Sequence, residues 1–192
     1  MIDWTPFGGL KTLPGSLPVA GDSSASIEAP YVEMLAALLS ASGARAVLET
    51  GTHIGLTAAA LAHTFPATRI ETVEHDPDMF QRAARVFARL ELKNVIQHAG
   101  DSVQLCRVLP GPFDLAILDS DESVKVAEAE IIRARGIATY LAIHDTSPTH
   151  PHVQRLNGFH QAVRDWTATH HLSAVHFPFG CGFTLVHLRG TV

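Results

Sequence analysis

The sequence predicts an α/β fold: a doubly wound, Rossmann-like seven-stranded sheet, mostly parallel with an antiparallel edge strand, and helices on both faces. Three observations lead there. Short apolar runs alternate with stretches of helical period, the pattern of βαβ units. Every apolar run stops at a polar or glycine-bearing turn, where sheets of this kind bind ligands. Two closely spaced strand-like runs close the chain around Pro178-Phe179-Gly180, which suits an antiparallel pair.

The elements follow in order. Residues 1–25 carry Pro6, Gly8, Gly9, Pro14, Gly15, Pro18 and Gly21 without an apolar period, and read as an irregular arm. Its Trp4 and Phe7 are expected to dock on the domain or on a second subunit, which makes a homodimer an expectation. Residues 26–192 read as one domain. Ile27 to Leu39 is helical, Ala46 to Thr50 a strand that stops at Gly51, and Leu56 to Thr64 a helix rich in Ala and Leu. Arg69 to Glu74 is the second strand. Asp76-Pro77 opens the next helix, because Asp accepts N–H bonds at a cap and Pro loses nothing at the first helical position. Met79, Phe80, Ala83, Phe87 and Leu90 give that helix its apolar face.

The alternation then repeats. Asn94 to Gln97 is a strand, Ser102 to Leu109 a helix, and Phe113 to Leu118 a strand. Val124, Ala127, Ile131 and Ala134 mark a helix stopped by Gly136. Ala138 to Ile143 is the fifth strand. Val153, Leu156, Phe159, Val163 and Trp166 predict one amphipathic helix, and Ser173 to Phe177 and Phe183 to Leu188 the last two strands.

Composition narrows the function classes. The 192 residues are 46% hydrophobic and 17% charged, with a formal charge of −5. No Lys/Arg cluster offers a face for a nucleic-acid backbone or an anionic membrane. No stretch approaches the ~20 apolar residues of a membrane span, and the N-terminus lacks the basic and apolar regions of a signal peptide. Cys106 and Cys181 make neither a disulfide framework nor a zinc quartet, so a reducing, cytoplasmic setting is expected. Histidine is unusually frequent: twelve, seven of them between His144 and His176.

The strand ends carry the candidate chemistry. The first runs Glu49-Thr50-Gly51-Thr52-His53-Ile54-Gly55, where Gly51 and Gly55 allow backbone to approach a ligand at a helix start. The second ends at Glu74, placed to accept both hydroxyls of a ribose. Gly100-Asp101-Ser102 follows the third, and Asp119-Ser120-Asp121-Glu122 the fourth. The fifth ends at His144-Asp145-Thr146. Taken singly, Asp101 also reads as a helix cap, Glu74 as a solvated strand end, and Asp121 and Glu122 as first-turn charges.

AVLETGTHIG, TVEHDP, HAGDS, FDLAILDSDE and AIHDTS, in that order, resemble a class I S-adenosylmethionine-dependent methyltransferase. The likeness covers Ala46 to Thr146. It is nearest to a small-molecule O-methyltransferase-like group, including cephalosporin-hydroxylase-like and macrocin-type sugar enzymes, that writes DGDH and HDT after its fourth and fifth strands. The resemblance implies S-adenosyl-L-methionine as cofactor. Glu49, Gly51 and Gly55 would line its methionine end, Glu74 the ribose, Asp101 and Ser102 the adenine, with Thr52, His53 and Asp119 also at the cofactor. Two departures stand out: His53 occupies a position that many members give to Gly, and Glu122 replaces the group's histidine.

Methyl transfer to an alcohol or phenol of a small-molecule acceptor needs a base or a metal. Asp119, His144 and Asp145 are the catalytic candidates. In metal-dependent relatives similar to this chain, acids after the fourth and fifth strands hold a divalent ion, so the same three residues are also metal candidates. A metal-free His144 base and a structural role stand beside that reading. His150 and His152 follow in the next loop, and three histidines with one Asp within nine residues can bind a transition metal. His170 and His171 read as helix-end histidines, His187 as a surface or satisfied core histidine on the last strand, Cys106 as a core residue, and Cys181 as structural. A non-catalytic cofactor-binding domain and a nicotinamide-dependent oxidoreductase are the alternatives, although GxGxxG is absent from the first turn.

Overall fold

The computed structural model describes residues 29–154 and 158–188. The arm expected over residues 1–25, with Trp4 and Phe7, lies outside them. The order is α1 (Ala29–Ser42), β1 (Ala46–Thr50), α2 (Leu56–Thr64), β2 (Arg69–Glu74), α3 (Pro77–Arg89), β3 (Val95–Ala99), α4 (Ser102–Val108) and β4 (Phe113–Leu118). Then come α5 (Glu122–Arg135), β5 (Ala138–His144), α6 (Pro151–Gln154), α7 (Phe159–Thr169), β6 (Ser173–Phe177) and β7 (Phe183–His187). The seven strands form one sheet in the order β3-β2-β1-β4-β5-β7-β6. Strands β1 to β5 are parallel, and β7 is antiparallel to both β5 and β6. The antiparallel strand thus lies one place in from the edge.

Side chains alternate across the sheet and fill two cores. Val47, Ile70, Leu115 and Ile117 meet α1, α2 and α3 through Leu35, Leu39, Leu61, Ala83 and Phe87. Leu48, Leu118, Leu141 and Val186 meet α4, α5 and α7 through Cys106, Ala129, Ile132, Val163 and Trp166. Strands covered on both faces read as continuous apolar runs, which is why β1 and β4 were so legible in the sequence. Cys106 is a fully buried core residue, its thiol pushed up to about 12 by that burial. Among the described residues no helix is long and apolar enough to cross a membrane.

Two elements differ from the sequence reading. The single helix expected from Val153 to Trp166 is instead two, α6 and α7, the second starting behind Gly158 at φ 81°. Val153, Phe159, Val163 and Trp166 are all buried, so the apolar spacing passes through the break unmarked. In α5 the inward residues are Lys125, Glu128, Ala129 and Ile132, whereas Val124, Ala127, Ile131 and Ala134, which mark this helix in the sequence, are half-buried or exposed.

Candidate active site

The sheet reverses direction of winding between β1 and β4, and the loops beyond their C-terminal ends enclose a cavity of about 470 Å³. That size suits a small-molecule cofactor. Gly51, His53, Glu74, Asp101, Ser102 and Asp119 all line it, joined by Met79 and Val124 among others. Of the residues expected at the cofactor, Glu49, Thr52 and Gly55 stand behind this lining.

Glu74 is held in place by backbone. Its Oε2 accepts from the N–H of His53 at 2.7 Å and its Oε1 from Asp76 at 2.9 Å. Each carboxylate oxygen retains further acceptor capacity toward the cavity. The contact with His53 works because that residue sits at φ 50°, left-handed, turning its N–H back across the loop. His53 lines the cavity, and among the described residues its buried Nδ1 has no hydrogen-bond partner. An orphaned buried nitrogen on a cavity wall fits a polar ligand there, since such a group is costly to leave unsatisfied.

The glycines serve the protein's own chain. A Cβ on Gly51, at φ 83°, would lie 2.3 Å from the Asp119 carbonyl oxygen and 2.7 Å from the Ser120 nitrogen. Gly51 is therefore required first by the close passage of the β4 end, and its place on the cavity wall follows from that. On Gly55 a Cβ would strike the Phe87 ring at 2.8 Å, so that glycine seats α2 against α3.

Behind the lining lies a layer of buried carboxyls. Glu49 accepts from Thr72 Oγ1 at 2.5 Å, and Thr72 in turn shares a 2.6 Å bond with Thr52. Burial pushes the Glu49 carboxyl up to about 8, against the Thr72 bond and with help from the Asp119 and Glu74 charges. Glu128 of α5 takes hydroxyl bonds from Thr50 at 2.9 Å, Ser120 at 2.8 Å and Ser102. Desolvation raises its carboxyl too, although those hydroxyls and Lys125 pull the other way. Ser102 thus spends its hydroxyl on Glu128, while Asp101 caps α4 by accepting from Gln104 at 2.8 Å. Asp121 caps α5 through the Ser123 N–H at 2.9 Å, and these bonds lower its carboxyl.

Asp119 links this cavity to a second centre. The register of β4 and β5 sets Leu118 beside Ile143, so Asp119 and His144 leave the sheet together. His144 Nδ1 lies 2.9 Å from Asp119 Oδ1 and 3.5 Å from Asp145 Oδ2. A carboxylate only accepts, so the contact places the ring proton on Nδ1 and makes Nε2 the basic nitrogen. Tyr31 of α1 meets the His144 ring edge-on at 6.3 Å, while its hydroxyl donates to the carbonyls of Phe177 and Phe179. Asp145 adopts φ 64°, rare for a residue with a side chain.

Lys125, which the sequence reading passed over, is fully buried beneath this centre. Its Nζ lies 2.8 Å from Asp145 Oδ2, 3.9 Å from Asp119 Oδ1, and 5.6 Å from the Phe159 ring centroid. Burial by itself would lower its pKa, but the charges of Asp119 and Asp145 and the bond to Asp145 raise it. The divalent ion expected on Asp119, His144 and Asp145 does not fit this arrangement, because an ammonium already stands between the two carboxylates. A softer donor set adjoins it: His144, Asp145 and Cys181 bring ligand atoms within 4.8 Å of one another, and His150 Nδ1 stands 3.7 Å from Cys181 Sγ. Asp145 belongs to that set as well and is committed to Lys125. The side chain of His152 lies outside the described residues.

A doubly wound sheet of this strand order, with acids at successive strand ends around one cavity, defines a class I S-adenosylmethionine-dependent methyltransferase. Residues 16–120, more than half of the chain, match the family described as protein-L-isoaspartate(D-aspartate) O-methyltransferase, and the chain belongs to that family. No curated protein matches it. Solved structures share the fold at low identity. The methyltransferase PaMTH1 of Podospora anserina, bound to SAH, superposes with a TM-score of 0.77 at 17% identity, over 96% of this chain and 86% of that one. The O-methyltransferase TomG of Streptomyces achromogenes gives 0.69 at 20%, over 96% and 95%. An O-methyltransferase of Bacillus cereus in complex with SAH gives 0.72 at 22%, over 96% and 91%. The nicotinamide alternative finds no support in these matches.

Proposed function

We propose that the protein transfers a methyl group from S-adenosylmethionine to an oxygen of a small-molecule acceptor, with His144 as general base. The carrying observation is the part-buried 2.9 Å contact between His144 Nδ1 and Asp119 Oδ1 beside the cofactor cavity. S-adenosylmethionine supplies an electrophilic methyl group on its sulfonium. Glu74 binds at the ribose hydroxyls, and His53 and Asp101 complete the polar wall. Asp119 fixes the tautomer of His144, whose Nε2 takes the acceptor's proton as its oxygen attacks. Tyr31 covers one edge of the imidazole.

The family's name denotes a carboxyl acceptor, on an isoaspartyl or D-aspartyl residue. A carboxyl group is already ionised near neutral pH and needs no base. A buried Asp–His pair is useful only where the acceptor has a proton to lose, which favours an alcohol or phenol. TomG, a neighbour of the same fold, takes part in tomaymycin synthesis. The test is SAH formation with a panel of phenols, catechols and sugar alcohols beside an isoaspartyl peptide. Hydroxyl acceptors should turn over, and His144→Ala should slow them by roughly 10²–10⁴-fold. Turnover of the isoaspartyl peptide alone, or full activity in His144→Ala, would overturn this reading.

A further inference from the structure

The ends of β4 and β5 bring two carboxylates together with only 9% and 10% of their side chains exposed. A buried acid pair must be neutralised, and a divalent ion is one common solution. The protein supplies another. Lys125 reaches up from the first turn of α5 with 0% of its side chain exposed, and its Nζ meets Asp145 Oδ2 at 2.8 Å and Asp119 Oδ1 at 3.9 Å. The ring of Phe159, 5.6 Å away, presents the kind of face that favours a cation, so the ammonium is enclosed by attractive partners.

We propose that Lys125 is a built-in cation: its ammonium takes the place of a divalent ion between Asp119 and Asp145, so that this centre assembles without metal. Lys125 is then a positioning residue. Its bond to Asp145 holds that residue at φ 64°, which fixes the turn leaving His144, and its charge keeps Asp119 available to orient the imidazole. The same ammonium opposes any second cation at the adjoining His144, Asp145 and Cys181 donors. Two carboxylates facing one ammonium keep a net negative charge, which the Nδ1–H of His144 shares. A divalent ion added to the set would reverse that sign in a buried site. The proposal rests on reading Asp119, His144 and Asp145 as the acceptor-side centre, but its test needs no methyl acceptor.

Mn²⁺ is titrated into the full chain and followed by electron paramagnetic resonance, with SAH affinity measured separately on the wild type. The wild type should show no Mn²⁺ site that depends on Asp119. Lys125→Met should create one, binding roughly tenfold or more tighter than any wild-type site, and adding Asp119→Asn should abolish it. If Lys125→Met does not fold alone, Mn²⁺ should restore its melting transition by neutralising the abandoned carboxylates. A stoichiometric wild-type site lost in Asp119→Asn overturns the proposal. So does a folded Lys125→Met that gains no site, or an unfolded one that Mn²⁺ fails to rescue. Failure of the wild type to bind SAH would count against the methyltransferase reading and leave this result separate.

Discussion

Glu49 offers a direct check on the charge layer beneath the cofactor cavity. Its carboxyl is pushed from the ordinary 4.5 to about 8 by burial, the Thr72 bond opposing and the Asp119 and Glu74 charges reinforcing. In the folded protein Glu49 therefore keeps its proton between pH 4.5 and about 8, while in the unfolded chain it has lost it. Stability that is full below pH 4.5 is lost as pH rises to about 8. At about 1.4 kcal/mol for each pH unit, the whole span amounts to about 5 kcal/mol. Glu49→Gln keeps the shape and has no proton to lose. Urea unfolding at several pH values should show the wild type losing about 1.4 kcal/mol per unit relative to the variant, with the curves parallel on either side of the window. A cation entering beside Asp119 and Glu74 offsets the charges that help hold this proton. Cofactor binding should then release part of it, seen as a binding heat that depends on the buffer. A difference between wild type and variant that stays constant from about pH 5 to 8 would refute the protonated Glu49 and the charge layer with it.

Three further outcomes follow from the same geometry. Glu74→Ala should weaken SAH binding by about 1.5–3 kcal/mol in calorimetry, the scale of hydrogen bonds to a charged group; unchanged affinity would remove Glu74 from the site. His53→Ala should weaken SAH by about 1 kcal/mol if the orphaned Nδ1 finds its partner on the cofactor, and tighter binding would show that the imidazole obstructs the turn. Glu128→Ala strands the hydroxyls of Thr50, Ser102 and Ser120, so about 3 kcal/mol of stability should go, or ~6–12 °C in Tm for a domain of this size; a melting curve within 2 °C of wild type, roughly, would mean water replaces the carboxylate.

The sheet was legible because its signals are local. The buried strands β1 and β4 are built on the short apolar runs Ala46-Val47-Leu48 and Leu115-Ala116-Ile117-Leu118, and Asp76-Pro77 marks the start of α3 through a cap bond that forms within three residues. The acids at the strand ends were legible for the same reason, and Gly51, His53, Glu74, Asp101, Ser102 and Asp119 do meet at one cavity. What could not be read was why each is there. Gly51 is set by a strand end 68 residues away, at Asp119, and Ser102 by Glu128. Lys125 and Glu128 were missed because the helix was read from its apolar residues Val124, Ala127, Ile131 and Ala134 alone. A signal was present. Lys125, Glu128, Ala129 and Ile132 have the three- and four-residue spacing of a buried stripe, and a charge on such a stripe marks a paired interior group.

Those two residues explain how two strand-end clusters hold one arrangement. They stand three apart on α5, one above the other on its inner face. Glu128 gathers the ends of β1 and β4 and the start of α4 through Thr50, Ser120 and Ser102, the two serines also lining the cavity. Lys125 gathers the ends of β4 and β5 through Asp119 and Asp145, on the side proposed for the acceptor. The shared element is the end of β4, where Ser120 answers to Glu128 and the neighbouring Asp119 to Lys125. A shift of α5 therefore moves both clusters together, and under the proposed function the distance between methyl donor and His144 is set by one helix rather than by two independent loops. Methyl transfer depends on holding donor and acceptor at ~3–3.5 Å, which is the quantity that such a common mount controls.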